Sequence, residues 1–192
     1  MIGQTGLYYS QNEFDRQRFQ RLTEMAAEMI SSHSDTPEEE VKAALGAQEG
    51  YVTPKVDVRG AVFRGNEVLL VKEISDGLWS IPGGWADVNE SPSRMVEREV
   101  LEETGLTVSA RKIVGVFETN HDRAPINVFH CYKLLFLCET IRGDLRSSYE
   151  TPEVRYFPLN ELPPLSGSRI REEYIMEAYK QFCDPSLPAL FN

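Results

Sequence analysis

The spacing of apolar residues changes three times along this chain. From Asn12 to about Ser32, Phe14, Leu22, Met25, Met29 and Ile30 recur at helical spacing on a stripe that also takes in Arg18. Pro37 opens a second, shorter helix through Val41, Ala44 and Leu45, which Gly46 closes. Before both, residues 1–10 are mixed, with Leu7, Tyr8 and Tyr9 able to pack. From Tyr51 the period shortens to two. Residues 55–63 set Val56, Val58 and Gly60 against Asp57, Arg59 and Ala61. Arg64-Gly65-Asn66 reads as a turn, and residues 67–72 return as the second arm of a hairpin. Asp76-Gly77 turns again, and residues 78–82 lead to Gly83-Gly84. A helical period follows from Pro92 to Thr104, with Ser91 as N-cap, Pro92 at the first helical position and Gly105 as the left-handed stop.

Beyond that helix, residues 107–117 and 127–139 read as longer strands joined by a polar loop over 118–126. Phe129, Cys131, Leu135 and Leu137 alternate with Leu134, Phe136 and Cys138, so this sheet is expected to be covered on both faces. Residues 141–145 read as a turn, with Arg142-Gly143-Asp144 at a hairpin tip. A short strand over 153–158 and a final helix over 168–182, apolar at Ile170, Tyr174, Ile175, Ala178, Tyr179 and Phe182, complete the pattern. The tail from Asp184 is flexible or packed by Leu187 and Phe191. The pattern predicts an α+β domain over 51–192, preceded by a small helical segment, 1–50, that docks on it or on a second subunit.

Composition narrows the partners. A net charge of −10 over 192 residues argues against a bulk electrostatic grip on nucleic acid or on an acidic membrane. No apolar run is long enough to span a bilayer, and the N-terminus lacks a basic stretch followed by an apolar one. Cys131, Cys138 and Cys183 show no metal-ligand spacing and read as reduced thiols of a cytoplasmic protein; the first two point to opposite faces of their strand.

The chemistry concentrates in the middle helix. At about 100° per residue, Met95, Glu99, Glu102 and Glu103 share an arc beside Val96 and Val100. Like charges so spaced cost a helix roughly 0.2–0.5 kcal/mol per pair, and more where water is scarce. A sequence that tolerates this expects a cation. With no His or Cys in the cluster, hard oxygen donors suit magnesium or manganese.

The stretch resembles the signature of the Nudix hydrolases. Gly84, Glu90, Arg98, Glu99, Glu102, Glu103 and Gly105 stand at its fixed positions, with apolar Val100 and Leu106 between and after them. The resemblance implies an α/β/α sandwich with a mixed sheet. It also implies Mg²⁺- or Mn²⁺-dependent hydrolysis of a nucleoside diphosphate linked to X. Glu99, Glu102 and Glu103, with the Gly83 carbonyl, would hold the metal. Arg98 would pair with Glu90, which braces the loop. The general base would be a signature glutamate such as Glu102, or a downstream one, for which Glu150 is favoured over Glu153 by its distance from Tyr156-Phe157. Candidate substrate contacts are Arg59, Trp79 and His121, with Lys72 and Arg123; Trp79 and Trp85 bracket the Gly-Gly turn and either pack or stack on a base.

The first 50 residues resemble the helical segment of a Nudix subgroup that includes CDP-choline and ADP-ribose pyrophosphatases. Members often carry a further helix upstream, so this chain begins late by comparison. A homodimer acting on a small nucleotide, with no membrane and no stable nucleic-acid complex, is the expectation. The alternatives are a nucleoside triphosphate or RNA-end pyrophosphohydrolase and a non-catalytic nucleotide sensor.

Overall fold

Asn12 caps the first long helix, its side-chain oxygen accepting the Asp15 N–H at 2.8 Å. The computed structural model describes residues 1–48, 50–118 and 130–191. Two units make up the chain: residues 1–55 with 130–131, and residues 56–118 with 132–191.

The first unit holds α1 (Ile2–Tyr9), α2 (Glu13–Ser32) and α3 (Glu38–Gly46). α1 is absent from the sequence reading because Gly3 and Gly6 are poor helix formers. Their use is tertiary: a Cβ on Gly6 would lie 2.3 Å from the Phe19 ring, and one on Gly3 would lie 2.3 Å from Thr23 Oγ1, so α1 sits tight on α2. Gln4 Nε2 donates to the Leu45 carbonyl at the end of α3 (2.8 Å). The apolar stripe of α2 faces outward: Phe14, Leu22, Met25 and Met29 are exposed, while Ala27 is buried.

The second unit is an α/β/α sandwich built on β1 (Lys55–Arg64), β2 (Glu67–Lys72), β3 (Trp79–Ser80), β4 (Gly83–Trp85), β5 (Thr107–Glu118), β6 (Cys131–Arg142), β7 (Glu153–Pro158) and β8 (Leu190–Phe191), with helices α4 (Pro92–Thr104) and α5 (Glu172–Cys183). Strand order is β3-β2-β1-β6-β5-β8, with β4 on β1 and β7 on β2. β8 runs parallel to β5, and β2–β3, β2–β7 and β5–β6 are antiparallel, so the sheet is mixed. Alternation sorts the strands onto two cores. Val58, Val62, Leu69 and Cys138 pack under Met95, Val96 and Val100 of α4; Ala61, Val68, Leu70, Leu135 and Leu137 pack under Ile175 and Ala178 of α5. Gly60 makes the first contact close, since a Cβ there would stand 2.7 Å from Val100 Cγ2.

One expectation is corrected. Arg142-Gly143-Asp144 is no hairpin tip: β6 runs through Arg142, β7 pairs with β2, and the intervening chain passes over the end of α4, where the Arg146 N–H donates to the Thr104 carbonyl. Of the two readings of the tail, packed is the one found: β8 adds to β5, and Lys112 Nζ donates to the Leu187 carbonyl at 2.6 Å. Most of the expected 118–126 loop, with His121 and Arg123, lies outside the described residues.

Candidate active site

β4 delivers the chain to α4 through a turn that only glycine can make. Gly83 has φ +142°, and a Cβ on it would stand 2.0 Å from the Val58 carbonyl oxygen. α4 then starts at Ser91, whose hydroxyl accepts the Arg94 N–H, with Pro92 at the first helical position. It stops at Gly105, φ +78°, whose N–H donates to the Leu101 carbonyl. Beyond the stop, Thr151 Oγ1 donates to the Glu103 carbonyl at 2.9 Å, and the Ala110 N–H donates to Glu97 Oε1 at 2.9 Å. Both ends and one flank of the helix are therefore fixed.

With the apolar face seated on the sheet, the acids fall along its edge. Glu103 is only 7% exposed, and its Oε2 accepts the Gly83 N–H at 3.0 Å. Burial pushes its pKa up to about 8, against the opposing pull of Arg59 and the Gly83 N–H. Glu99 is also raised, by burial first, and its carboxylate lies over Gly84, whose added Cβ would be 3.2 Å from Oε2. Glu102 has a side chain 57% exposed. Arg98 stands among them: Nη1 reaches Glu99 and Glu102 at 3.0 Å each, Nη2 reaches Asp87 at 2.8 Å and Glu90 at 3.0 Å, and Nε donates to Glu90 at 3.2 Å. The hydrogen bonds that Arg98 donates to Glu90 are the main cause of a guanidinium pKa raised above its ordinary value.

Glu150 is exposed; its carbonyl accepts the Ile74 N–H at 3.3 Å, one residue before the Thr151 contact to α4. Arg59 and Trp79 are interior. Arg59 Nε bridges both Asp57 oxygens at 3.1 Å, and Nη1 donates to the Ile81 carbonyl at 3.1 Å and faces Glu73 at 3.7 Å. Trp79 packs on Phe157, with ring centroids 4.6 Å apart. These partners leave neither side chain a surface for substrate. Lys72 pairs with Glu153 at 2.7 Å.

Sequence reasoning missed the buried network around Arg59. Asp57 pairs with both Arg59 and Lys133, and Arg169 Nε holds Glu73 at 3.1 Å. Burial alone would raise Asp57, but the two cations beside it bring it below the ordinary carboxylate range. The network fixes the backbone before the turn: Arg59 holds the Ile81 carbonyl, and its strand neighbour Gly60 donates to the Pro82 carbonyl at 2.9 Å. The signal was present as opposite charges two positions apart in a buried strand, with a lone Lys133 in another.

Among the described residues, no three His, Cys, Asp or Glu side chains converge as a ready cage; Arg98 stands between Glu99 and Glu102 instead. The donor set still fits a hard divalent ion. It offers carboxylate oxygens alone, two of them against the Gly-Gly backbone, with burial opposing the ionised form of Glu99 and Glu103.

A two-sided mixed sheet that carries an acid-rich helix behind a Gly-Gly turn is the frame of a hydrolase of phosphate anhydrides. The chain belongs to the Nudix hydrolase family: residues 53–178 match the NUDIX domain, and residues 1–45 match a UDP-X-like N-terminal oligomerisation domain. It is 38% identical over 191 residues to YjhB of Bacillus subtilis (strain 168), a candidate ADP-ribose pyrophosphatase, covering 100% of this chain and 92% of that one. Among solved structures it resembles a UDP-X diphosphatase (TM-score 0.67, 30% identity, 100% of this chain and 93% of that one). It also resembles an ADP-ribose pyrophosphatase of Streptococcus suis 89-1591 (TM-score 0.66, 35% identity, 73% of this chain and 100% of that one).

Proposed function

We propose that this protein hydrolyses the pyrophosphate bond of a nucleoside diphosphate linked to X, releasing a nucleoside monophosphate and phosphorylated X, with ADP-ribose the first substrate to try and UDP-linked compounds and CDP-choline next. The observation that carries this reading is the pair of carboxyls, half-buried Glu99 and buried Glu103, against the Gly83-Gly84 backbone within a complete signature. Glu99, Glu102, Glu103 and the Gly83 carbonyl would hold Mg²⁺ or Mn²⁺. A divalent ion so held neutralises the anhydride's charge and makes a bound water more acidic. Arg98 and Glu90 keep the β4–α4 loop on the helix, so that the turn and the acids share one frame. The attacking water gives its proton to a carboxylate exposed at the rim, Glu102 or Glu150, as its oxygen bonds to phosphorus and the bridging oxygen departs with the leaving phosphate.

No helix among the described residues is long and apolar enough to cross a membrane, and all three cysteines are free thiols, which supports a cytoplasmic setting. The exposed stripe of α2 (Phe14, Leu22, Met25 and Met29) supports a homodimer in which a second copy covers it.

The test is a panel of ADP-ribose, UDP-linked sugars, CDP-choline and nucleoside triphosphates, each with Mg²⁺ and with Mn²⁺, read by phosphatase-sensitive phosphate. Hydrolysis of the NDP-linked compounds is expected. Cleavage of triphosphates alone would assign a triphosphate pyrophosphohydrolase, and no cleavage of any member would assign a sensor.

A further inference from the structure

Residues 148–151 form a turn whose ends are tied inward and whose middle faces out. Thr151 is fully buried, whereas Tyr149 and Glu150 are exposed. The Ser148 N–H donates to the Thr151 carbonyl at 3.0 Å, and the Thr151 N–H donates back to Ser148 Oγ at 3.1 Å, which closes the turn. Thr151 Oγ1 has one proton to give, and it goes to the Glu103 carbonyl at 2.9 Å. The 2.8 Å contact between the two hydroxyls is therefore donated by Ser148. A carbonyl in the last turn of a helix finds no N–H within that helix, so the Thr151 hydroxyl supplies the partner. This carbonyl belongs to the residue whose carboxyl holds the Gly83 N–H. A second tether falls on Glu150 itself, whose carbonyl accepts the Ile74 N–H at 3.3 Å. The loop that carries Ile74 is held in turn by Arg169, which reaches Glu73 at 3.1 Å and Ser75 Oγ at 3.0 Å. A helix cap alone needs no second tether. Glu150 is thus an exposed acid on backbone fixed at two points, one of them the helix of the metal-side acids.

We propose that Thr151 is a positioning residue for Glu150, its hydroxyl locking the turn to α4 so that the rim acid stays in step with Glu103. This rests on the activity proposed above and takes Glu150, not Glu102, as the acid that receives the proton of the attacking water. Glu102 has a side chain 57% exposed and is engaged by Arg98, whereas the backbone that carries Glu150 is set before substrate arrives.

The experiment is a double-mutant cycle of Thr151→Val and Glu150→Gln, on ADP-ribose with Mg²⁺. Glu150→Gln lowers kcat about a hundredfold or more, as loss of a general base does. Thr151→Val keeps the shape and removes the O–H. It lowers kcat about tenfold to a hundredfold with KM within about twofold, because a misplaced base spares substrate binding. Thr151→Ser keeps the hydroxyl and recovers most of that loss. In the Glu150→Gln background, Thr151→Val changes kcat by less than about twofold, since the group it positions is already gone. An equal loss in both backgrounds, a wild-type kcat in Thr151→Val or Glu150→Gln, or a loss that Ser does not recover overturns the proposal. Should Thr151→Val fail to fold, Ser148→Ala takes its place in the cycle, because it opens the turn and leaves the Glu103 carbonyl its donor. Amide exchange reads the tether without turnover: in Thr151→Val the Ile74 N–H exchanges roughly tenfold faster, while that of Val100, within α4, stays protected. Unchanged exchange at Ile74 also overturns the proposal. A wild type that hydrolyses nothing sinks the proposed activity instead, and amide exchange then decides whether the tether holds.

Discussion

Replacing Glu103 with Gln separates what this carboxyl does for the fold from what it does for chemistry. In wild type its pKa rises from 4.5 to about 8 because it is buried. A carboxyl raised in the folded state leaves stability intact below its unfolded pKa and withdraws it as pH climbs to the folded one. At about 1.36 kcal/mol per pH unit, metal-free wild type loses up to about 5 kcal/mol between pH 4.5 and 8. Gln keeps the shape and an acceptor for the Gly83 N–H but never ionises. In EDTA the two proteins should therefore melt together near pH 4.5. Glu103→Gln should become the more stable as pH rises, by about 8–16 °C at pH 7.5, at about 2–4 °C per kcal/mol for a chain of this size. With Mg²⁺ and ADP-ribose, turnover of Glu103→Gln should fall by several orders of magnitude, and Mg²⁺ should raise the melting temperature of wild type but not of the variant. Thermal melts across pH 4.5–8.5, with and without Mg²⁺, read all of this. A difference in melting temperature that does not depend on pH, or a wild type more stable at pH 7.5 in EDTA, refutes the burial argument.

Asp57→Ala strands Arg59 and Lys133 without their shared counter-ion, and breaking a buried pair costs roughly 3–5 kcal/mol, or about 6–20 °C in melting temperature; a loss under 2 °C on calorimetry would show the network to be dispensable. Leu22→Glu with Met25→Glu places charge on an exposed stripe, so the fold should survive while the mass by light scattering drops to that of one chain. A dimer that persists in the double variant would move the interface off α2.

The second unit was legible wherever a local signal decided the outcome. β2 and β7 lie over the residues their periods marked, and Ser91, Pro92 and Gly105 bound α4 because capping is written within one turn of the chain. α1 failed for the opposite reason. Gly3 and Gly6 argue against helix on propensity, and only the close approach of Phe19 and Thr23, more than a dozen residues away, explains their presence. The α2 stripe was seen, but its direction was not, since period alone does not say whether an apolar face meets its own chain or another. β8 was missed because its two residues take their strand character from pairing with β5.

The site divides along the same line. The acids, their cap and the pairing of Arg98 with Glu90 are all local to α4 and the loop before it, and so could be read from spacing. Arg59 could not. As one cation in an alternating strand it suits a phosphate contact as well as a structural one, and the choice turns on what register sets around it. β1 supplies Asp57 two residues away on the same face, β6 brings in Lys133, and the loop after β2 brings in Glu73. Once those three surround it, Arg59 is neutralised and spent on the Ile81 carbonyl, and its charge reaches Glu103 only through space. A charge read from sequence as a ligand group thus becomes scaffold when its partners come from other strands.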